Sequence, residues 1–381
     1  MTDMQPMPAF DRAALGQVVL VLQGGGALGA YQAGVYQALS EAGIEPDWVI
    51  GTSIGAINAG LIAGNRPGQR LAKVREFWSR VRQSPLAKAM GAASLFAPWA
   101  TNAMTLAGGV RGFFEPNPLA VLGPQVKLGP ERAAYYSTRP LEATLEELIE
   151  PALLGSGAPR LTVGAAKVQT GEMCYFDSRE QPLTVRHIMA SGALPPAFPA
   201  VRIGEELFWD GGVLSNTPVE AVFDDNPRRS GLVFAVHMWA PHGPEPDSLL
   251  KVMSRQKDLQ YSSRAATHIA RQKQLHKLRH VITELAGKLP SAIAETPEVR
   301  ALTAYGCVTR MHVVRLLAPP LAGEDHSKDI DFSAEGIKYR WEAGYTDTAR
   351  ALAQAPWTHE VDPLEGLILH QVEAGRIMFE G

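Results

Sequence analysis

QVVLVLQGGGALGAYQAGVYQALSEAGIEPDWVIGTSIGAINAG, residues 17–60, decides the fold. Its first six residues, Gln17 to Leu22, are aliphatic and β-branched without polar alternation, the pattern of a strand buried on both faces. Gly24, Gly25 and Gly26 break the strand. Between Ala27 and Ala42, the residues Leu28, Tyr31, Val35 and Leu39 recur along one helical face, and Gly43 supplies the stop. Trp48, Val49 and Ile50 form a second short strand, Gly51 to Gly55 a turn, and Ile54 to Ala63 a helix of small residues. Strand, glycine loop, helix, strand, tight turn, helix is the start of a parallel sheet covered on both faces.

Further along the chain, Gln69 to Val81 and Leu141 to Glu150 have helical patterns. The stretch 84–135, rich in Gly, Pro, Ala and Met, is expected to be a cap or lid. Within it, Ala87 to Phe114 is the candidate interfacial element. Leu161–Val168 and Met173–Phe176 flank Gln169-Thr170-Gly171-Glu172, a hairpin signal. Thr184 to Ser191 is a short helix. Leu207-Phe208-Trp209 leads into Asp210-Gly211-Gly212, and Leu232–Met238 and Met311–Leu317 are strands. Asp247 to Leu289 is a long, strongly basic helical pattern, and Ser333 caps a helix that runs to Gln354. The expected architecture is a three-layer α/β/α domain with a mainly parallel central sheet and a mostly helical C-terminal extension. Its divisions are a tail over 1–16, the main domain over 17–240 with its insertion at 84–135, and the extension over 241–381.

The 381 residues are 46% hydrophobic and carry a formal charge of -3, which does not favour nucleic acid as a partner. Two cysteines, Cys174 and Cys307, make no disulfide framework or cysteine-rich zinc site and suit a reducing compartment. The first seventeen residues carry Asp3 and Asp11 and no apolar core, so no secretory signal is read there. An uninterrupted run of ~20 apolar residues is absent from the sequence. A cytoplasmic protein is expected, meeting a membrane only from its surface.

Gly51-Thr52-Ser53-Ile54-Gly55 fits the G-x-S-x-G nucleophile elbow, in the strand-to-helix context the motif requires. The serine must stand on a sharp turn, and the start of the next helix places positive charge beside it. Gly24, Gly25 and Gly26 lie one β-α unit earlier, so their backbone N–H groups can face the same point. A rival reading exists: Gly24-x-Gly26-x-x-Gly29 matches the dinucleotide fingerprint and would make the chain an NAD(P)-dependent oxidoreductase. That fingerprint wants an acid at the end of the second strand, where this chain has Ile50-Gly51 and the serine elbow. Asp210, at a strand end before two glycines, can be aimed into a site as a base, although Asp-Gly is also a common turn pair.

Taken in order, four motifs resemble the patatin-like phospholipase family. They are the Gly24–Gly26 loop; the elbow continuing Ala56-Ile57-Asn58-Ala59-Gly60; Ser191-Gly192-Ala193-Leu194-Pro195-Pro196-Ala197-Phe198-Pro199; and Asp210-Gly211-Gly212 with Asn216-Thr217-Pro218. The resemblance runs from about Val18 to Trp239. It implies a Ser-Asp dyad without histidine, with Ser53 as nucleophile and Asp210 as base. It implies Gly24, Gly25 and Gly26 as oxyanion donors, a lipid or other acyl-ester substrate, and neither cofactor nor metal. Leu28 stands where members of the family often carry Arg or Lys, and Gln23 where an acid is common. After Trp239, Gln260–Arg264, Ser327–Ser333 and Arg340–Gly344 resemble the C-terminal extension of a bacterial subgroup.

Other candidates have blander readings. His237, late in a buried strand, completes a Ser53–Asp210–His237 triad on paper, but a hydrogen-bonded core histidine is expected. His276 and His280 have metal-binding spacing, with no acid or cysteine completing the set. The basic helix is expected to be a solvated face, and its Met253, Leu259, Ile269, Leu275, Leu278 and Ile282 an apolar stripe for packing or homo-oligomerisation. A non-catalytic lipid-binding protein on the same fold is the remaining alternative.

Overall fold

The computed structural model describes residues 15–83, 107–155, 159–321, 324–373 and 376–379. The first elements are strand β1 (Gln17–Leu22), helix α1 (Ala30–Glu41), strand β2 (Trp48–Thr52), and helices α2 (Ile54–Ala63) and α3 (Pro67–Arg80). Helix α4 (Arg139–Leu148) precedes the hairpin β3 (Arg160–Lys167) and β4 (Met173–Asp177), then helix α5 (Val185–Ser191). Strands β5 (Val201–Ile203), β6 (Glu206–Asp210) and β7 (Gly231–His237) follow. The last part holds helix α6 (Leu249–Gly287), strand β8 (Met311–Leu317), helix α7 (Ala334–Gln354) and strands β9 (Leu367–Glu373) and β10 (Arg376–Phe379).

These strands form one ten-stranded sheet in the order β10-β9-β8-β7-β1-β2-β3-β6-β5, with β4 paired to β3. From β9 through β7 and β1 to β3 the strands are parallel. The side chains of β1 divide as a doubly covered strand requires: Val18, Leu20 and Leu22 enter one core, with residues of α1 and α2, while Val19 and Val21 enter the other, with Phe223 and Ile269. Every residue of α2 is buried, as expected of a helix apolar all round. Helix α7 crosses α1 at close range because a glycine sits on each side. A Cβ on Gly34 would lie 1.9 Å from the Trp341 carbonyl oxygen, and one on Gly344 2.0 Å from that of Tyr31.

One junction positions the site. Along one edge of β3, residues Thr162–Ala166 pair with β4. The opposite edge is shared: β2 pairs in parallel with Arg160–Gly164, and β6 in antiparallel with Ala165–Lys167. Strands β2 and β6 therefore run toward each other and stop head to head, with Thr52 opposite Gly164 and Asp210 opposite Ala165.

The region beyond residue 240 differs from a mostly helical extension in one respect. Strands β8, β9 and β10 widen the central sheet itself, and β9 and β10 were not expected from the sequence. Their pairing partners lie elsewhere in the chain, so the local pattern carries little of the signal. The basic face of α6 is also less solvated than expected: Arg255 donates to the Ala240 and Pro241 carbonyls, and Lys257 and Lys277 pair with Asp329 and Glu365. Its apolar residues form no single buried stripe, since Ile269 is buried while Met253, Leu259, Leu275 and Leu278 are exposed. Among the described residues, no helix is long and apolar enough to cross a membrane.

Candidate active site

Ser53 closes β2 and opens α2 at φ 58°, ψ −127°, a backbone region that costs a non-glycine residue about 1–3 kcal/mol. Its surroundings hold it there. The Ser53 N–H donates to both the carbonyl and the hydroxyl oxygen of Ser191 at 3.1 Å, and the Ser191 hydroxyl donates to the Gly164 carbonyl at 2.6 Å. The flanking glycines are steric necessities. A Cβ on Gly51 would lie 2.3 Å from the Gly55 backbone, and one on Gly55 2.2 Å from the Leu22 carbonyl oxygen.

Asp210 reaches the same point from the opposite direction, at the end of β6. It is 1% exposed. Its backbone N–H donates to the Ala193 carbonyl at 2.9 Å, and its carboxylate accepts the Gly212 N–H at 2.7 Å. Ser53 lines the same cavity as this carboxylate. Among the described residues no cation pairs with it. Burial pushes its pKa up to about 7, against the smaller downward pull of Ser53 and the Gly212 amide.

The glycine loop completes the convergence, with one correction to the sequence expectation. The Gly24 N–H donates to the Asn216 carbonyl at 3.1 Å, so it is not free to donate to a substrate. Among the described residues, Gly25 and Gly26 remain as the loop amides for which no protein acceptor is found. The Gly24 carbonyl in turn accepts from Asn216 Nδ2 at 3.1 Å and Trp239 Nε1 at 2.8 Å. Asn216 thus staples the glycine loop to the Asp210 loop.

Ser53, Asp210, Gly24, Gly25 and Gly26 line one cavity. Seven of its 21 lining residues are aromatic. Phe113 and Phe332 have ring centroids 5.5 Å apart, Phe114 and Tyr136 4.9 Å, and Phe114 and Phe198 5.4 Å. Tyr261, Asp329 and Ile330 also line it, so the region beyond residue 240 supplies part of the wall. The expected lid, 84–135, falls partly outside the described residues (84–106); Phe113 and Phe114 are buried and face the cavity. Asn216 and Asp329 pack closely on the glycine loop, since a Cβ on Gly24 would lie 2.3 Å from Asn216 Oδ1 and one on Gly26 2.2 Å from the Asp329 carbonyl oxygen.

Sequence reasoning missed several supporting residues. Gln23 is fully buried and bonds in four directions: Nε2 to the Thr217 hydroxyl and the Tyr261 carbonyl, and Oε1 from the Met238 and Trp239 amides. A glutamine next to a glycine loop was the available signal, since a fully buried amide needs donors and acceptors on both ends. Tyr261, Asp329 and Phe332 fall in stretches that the sequence marked only as part of the C-terminal extension, and Trp239 at the edge of the resemblance, so their place in the cavity wall comes from the tertiary fold. His237 is buried as expected, but among the described residues neither ring nitrogen has a hydrogen-bond partner, so it bonds to neither Ser53 nor Asp210. His280 spends both ring nitrogens on the Pro363 and Thr309 carbonyls. Among the described residues no cluster of three metal-ligating side chains forms.

Fold and site together define a class: a three-layer α/β/α protein with an elbow serine facing a buried, cation-free carboxylate beside a glycine loop. A family model described as Patatin-like phospholipase matches residues 20–223, more than half of the chain, and the chain belongs to that family. A second model, described as Patatin phospholipase, matches residues 259–364. The Homo sapiens protein "Patatin-like phospholipase domain-containing protein 6" is 42% identical over 69 residues, covering 18% of this chain and 5% of that protein. An uncharacterized NTE family protein of Mycobacterium tuberculosis is 30% identical over 207 residues, covering 54% of this chain and 28% of that protein. The chain spans less than a third of the length of these curated relatives. Among solved structures, VipD from Legionella pneumophila aligns over 88% of this chain and 66% of its own, at 16% identity and a TM-score of 0.38.

Proposed function

We propose that this chain is a serine acyl-ester hydrolase acting on lipid esters, with Ser53 as nucleophile and Asp210 as its base. One observation carries the reading. A buried carboxylate, with no cation beside it among the described residues and its pKa raised to about 7, shares one cavity with a serine held on a strained elbow. An ordinary carboxylate is too weak a base to take a hydroxyl proton, and burial without a countercharge strengthens it toward the working pH.

As the Ser53 oxygen attacks the ester carbonyl carbon, its proton passes to Asp210. The tetrahedral oxyanion is held by the Gly25 and Gly26 amides, each worth about 3–4 kcal/mol of barrier lowering in comparable sites. Collapse expels the alcohol, which takes the proton from Asp210 and leaves an acyl group on Ser53. Water then gives a proton to Asp210 and attacks the acyl carbon. The serine oxygen departs, recovers the proton, and the free acid is released. Family membership and the aromatic, largely apolar cavity support a lipid acyl chain as the group bound.

The test is covalent labelling with a fluorophosphonate, together with a panel running from short p-nitrophenyl esters to phospholipids. Wild-type protein is expected to label and Ser53→Ala not to label. A folded wild type that neither labels nor hydrolyses any member of the panel defeats the assignment.

A further inference from the structure

Two ion pairs cross between α6 and the segment 324–332, and this segment lies directly on the glycine loop. Lys257 Nζ donates to Asp329 Oδ1 at 2.7 Å and to Oδ2 at 2.9 Å, and also to the His326 carbonyl at 2.7 Å. One residue along on each element the polarity reverses: Lys328 Nζ donates to Asp258 Oδ1 at 2.7 Å. Adjacent residues on the helix thus pair with adjacent residues on the strap in opposite senses. Such a pattern fits one register and resists sliding by a residue, because a slip would face like charges. Arg340 of α7 holds the other side of the strap, through Asp331 and Glu324 and the Lys328 carbonyl.

The held segment touches the loop that supplies the oxyanion donors. Gly26 has φ +57°, and a Cβ there would lie 2.2 Å from the Asp329 carbonyl oxygen. The buried Lys328 ammonium also stands 5.1 Å from the centre of the Trp239 ring, whose indole N–H holds the Gly24 carbonyl. Both routes end on the same short loop. A loop of three glycines has little stiffness of its own, so its amides point usefully only while something else fixes them.

We propose that the Lys257–Asp329 and Lys328–Asp258 pairs form a clasp that sets the orientation of the Gly25 and Gly26 amides, making these four side chains positioning residues for ester cleavage. The proposal rests on the hydrolase reading of the same site. It assigns the region beyond residue 240 a part in transition-state stabilisation, without any of its side chains touching the reacting atoms.

The experiment measures kcat and KM on a p-nitrophenyl ester, the rate of fluorophosphonate labelling of Ser53, and the melting temperature, for wild type, Lys257→Met, Asp329→Asn and Lys257→Arg. Misaimed donors weaken transition-state binding more than substrate binding. The first two variants should therefore lose about 10–100-fold in kcat, with KM within about threefold and labelling slowed in parallel. Lys257→Arg, which keeps the pair, should stay within about threefold of wild type. Lys328→Met reads the second pair and should give the same pattern. The clasp is overturned if folded variants keep wild-type kcat, or if the whole loss falls in KM. It is also overturned if the three charge-removing variants simply fail to fold, which is what a structural fastener predicts. An active wild type with unaffected variants defeats the clasp alone, whereas an inactive, unlabelled wild type defeats the hydrolase reading and the clasp with it.

Discussion

Two buried aspartates flank strand β3 on opposite edges, and their environments differ in one respect. Asp177, on β4 opposite Thr162, is 4% exposed; Asp210, on β6 opposite Ala165, is 1% exposed. Burial pushes both carboxyl groups toward the neutral form. At Asp177 that push is overcome by Arg160, whose guanidinium lies 2.6 Å away, with the Thr162 hydroxyl and the Arg179 amide adding to it, and the pKa ends below the usual value. At Asp210 no cation answers, and the pKa rises to about 7. The same side chain at similar depth is held toward its ionised form in one place and pushed toward its protonated form in the other. The countercharge decides which.

The largest expected effect separates the two by chemistry. Asp210→Asn should lower ester turnover by ~10³-fold or more, as removal of a catalytic base does, with no fall in melting temperature. Asp177→Ala should leave kcat per folded molecule within about threefold. Steady-state kinetics on active-site-titrated protein reads both, and comparable losses of kcat in the two variants would break the contrast.

The next effect separates them by stability. Removing Asp177 strips the half-buried Arg160 of its closest partner and leaves it Asp225 at 2.9 Å, and losing such charged hydrogen bonds costs ~1.5–3 kcal/mol. Urea unfolding should show that loss for Asp177→Ala and none for Asp210→Asn. Equal destabilisation would mean that Asp210 is as much a fastener as Asp177.

The two aspartates also respond to pH with opposite sign. Asp210 binds its proton more tightly folded than unfolded. Its contribution to stability is full below the ordinary carboxylate value near ~4 and is lost as pH rises through about 7. Asp177 is depressed, so its contribution is present above the ordinary value and is lost as pH falls through its lowered folded value. Unfolding followed at pH 5 and pH 8 should show Asp210→Asn gaining on wild type toward pH 8. In the same range kcat/KM should rise with pH and level off above about 7, because only ionised Asp210 can act as base. A flat profile between pH 5 and 8 would remove Asp210 from the base role.

The smallest effect concerns His237. Burial and the nearby Arg315 hold it well below the usual histidine pKa, and among the described residues its ring nitrogens bond nothing. His237→Ala should keep kcat within about threefold, and a loss of several decades would restore a triad that the geometry does not contain.

Much of this site was legible along the chain. The elbow was visible because its requirements are local: a strand, a sharp turn with a glycine two residues to either side of the serine, and a helix. Asp210 was not visible in that way. Considered alone, Asp210-Gly211-Gly212 is an ordinary turn, and only its place in an ordered set of motifs gave it a role. The glycine loop was half legible: three glycines marked it, but the bond from Gly24 to the Asn216 carbonyl depends on a contact 192 residues away. The Lys257–Asp329 pair was hidden more deeply, because a lysine in a basic helix gives no sign of which acid 72 residues later will meet it.

The sequence by itself determined the β-α-β-α opening, the buried nature of the first strands and the identity of the serine. These follow from hydrophobic period and glycine sterics acting over a few residues. The tertiary structure alone decided that β2 and β6 share one edge of β3 and meet head to head, which brings Ser53 and Asp210 to one cavity. It also decided that no cation lies beside that carboxylate. Strand pairing and countercharge are long-range properties: they depend on what lies nearby in space, and the order of residues along a chain specifies that only once the chain has folded.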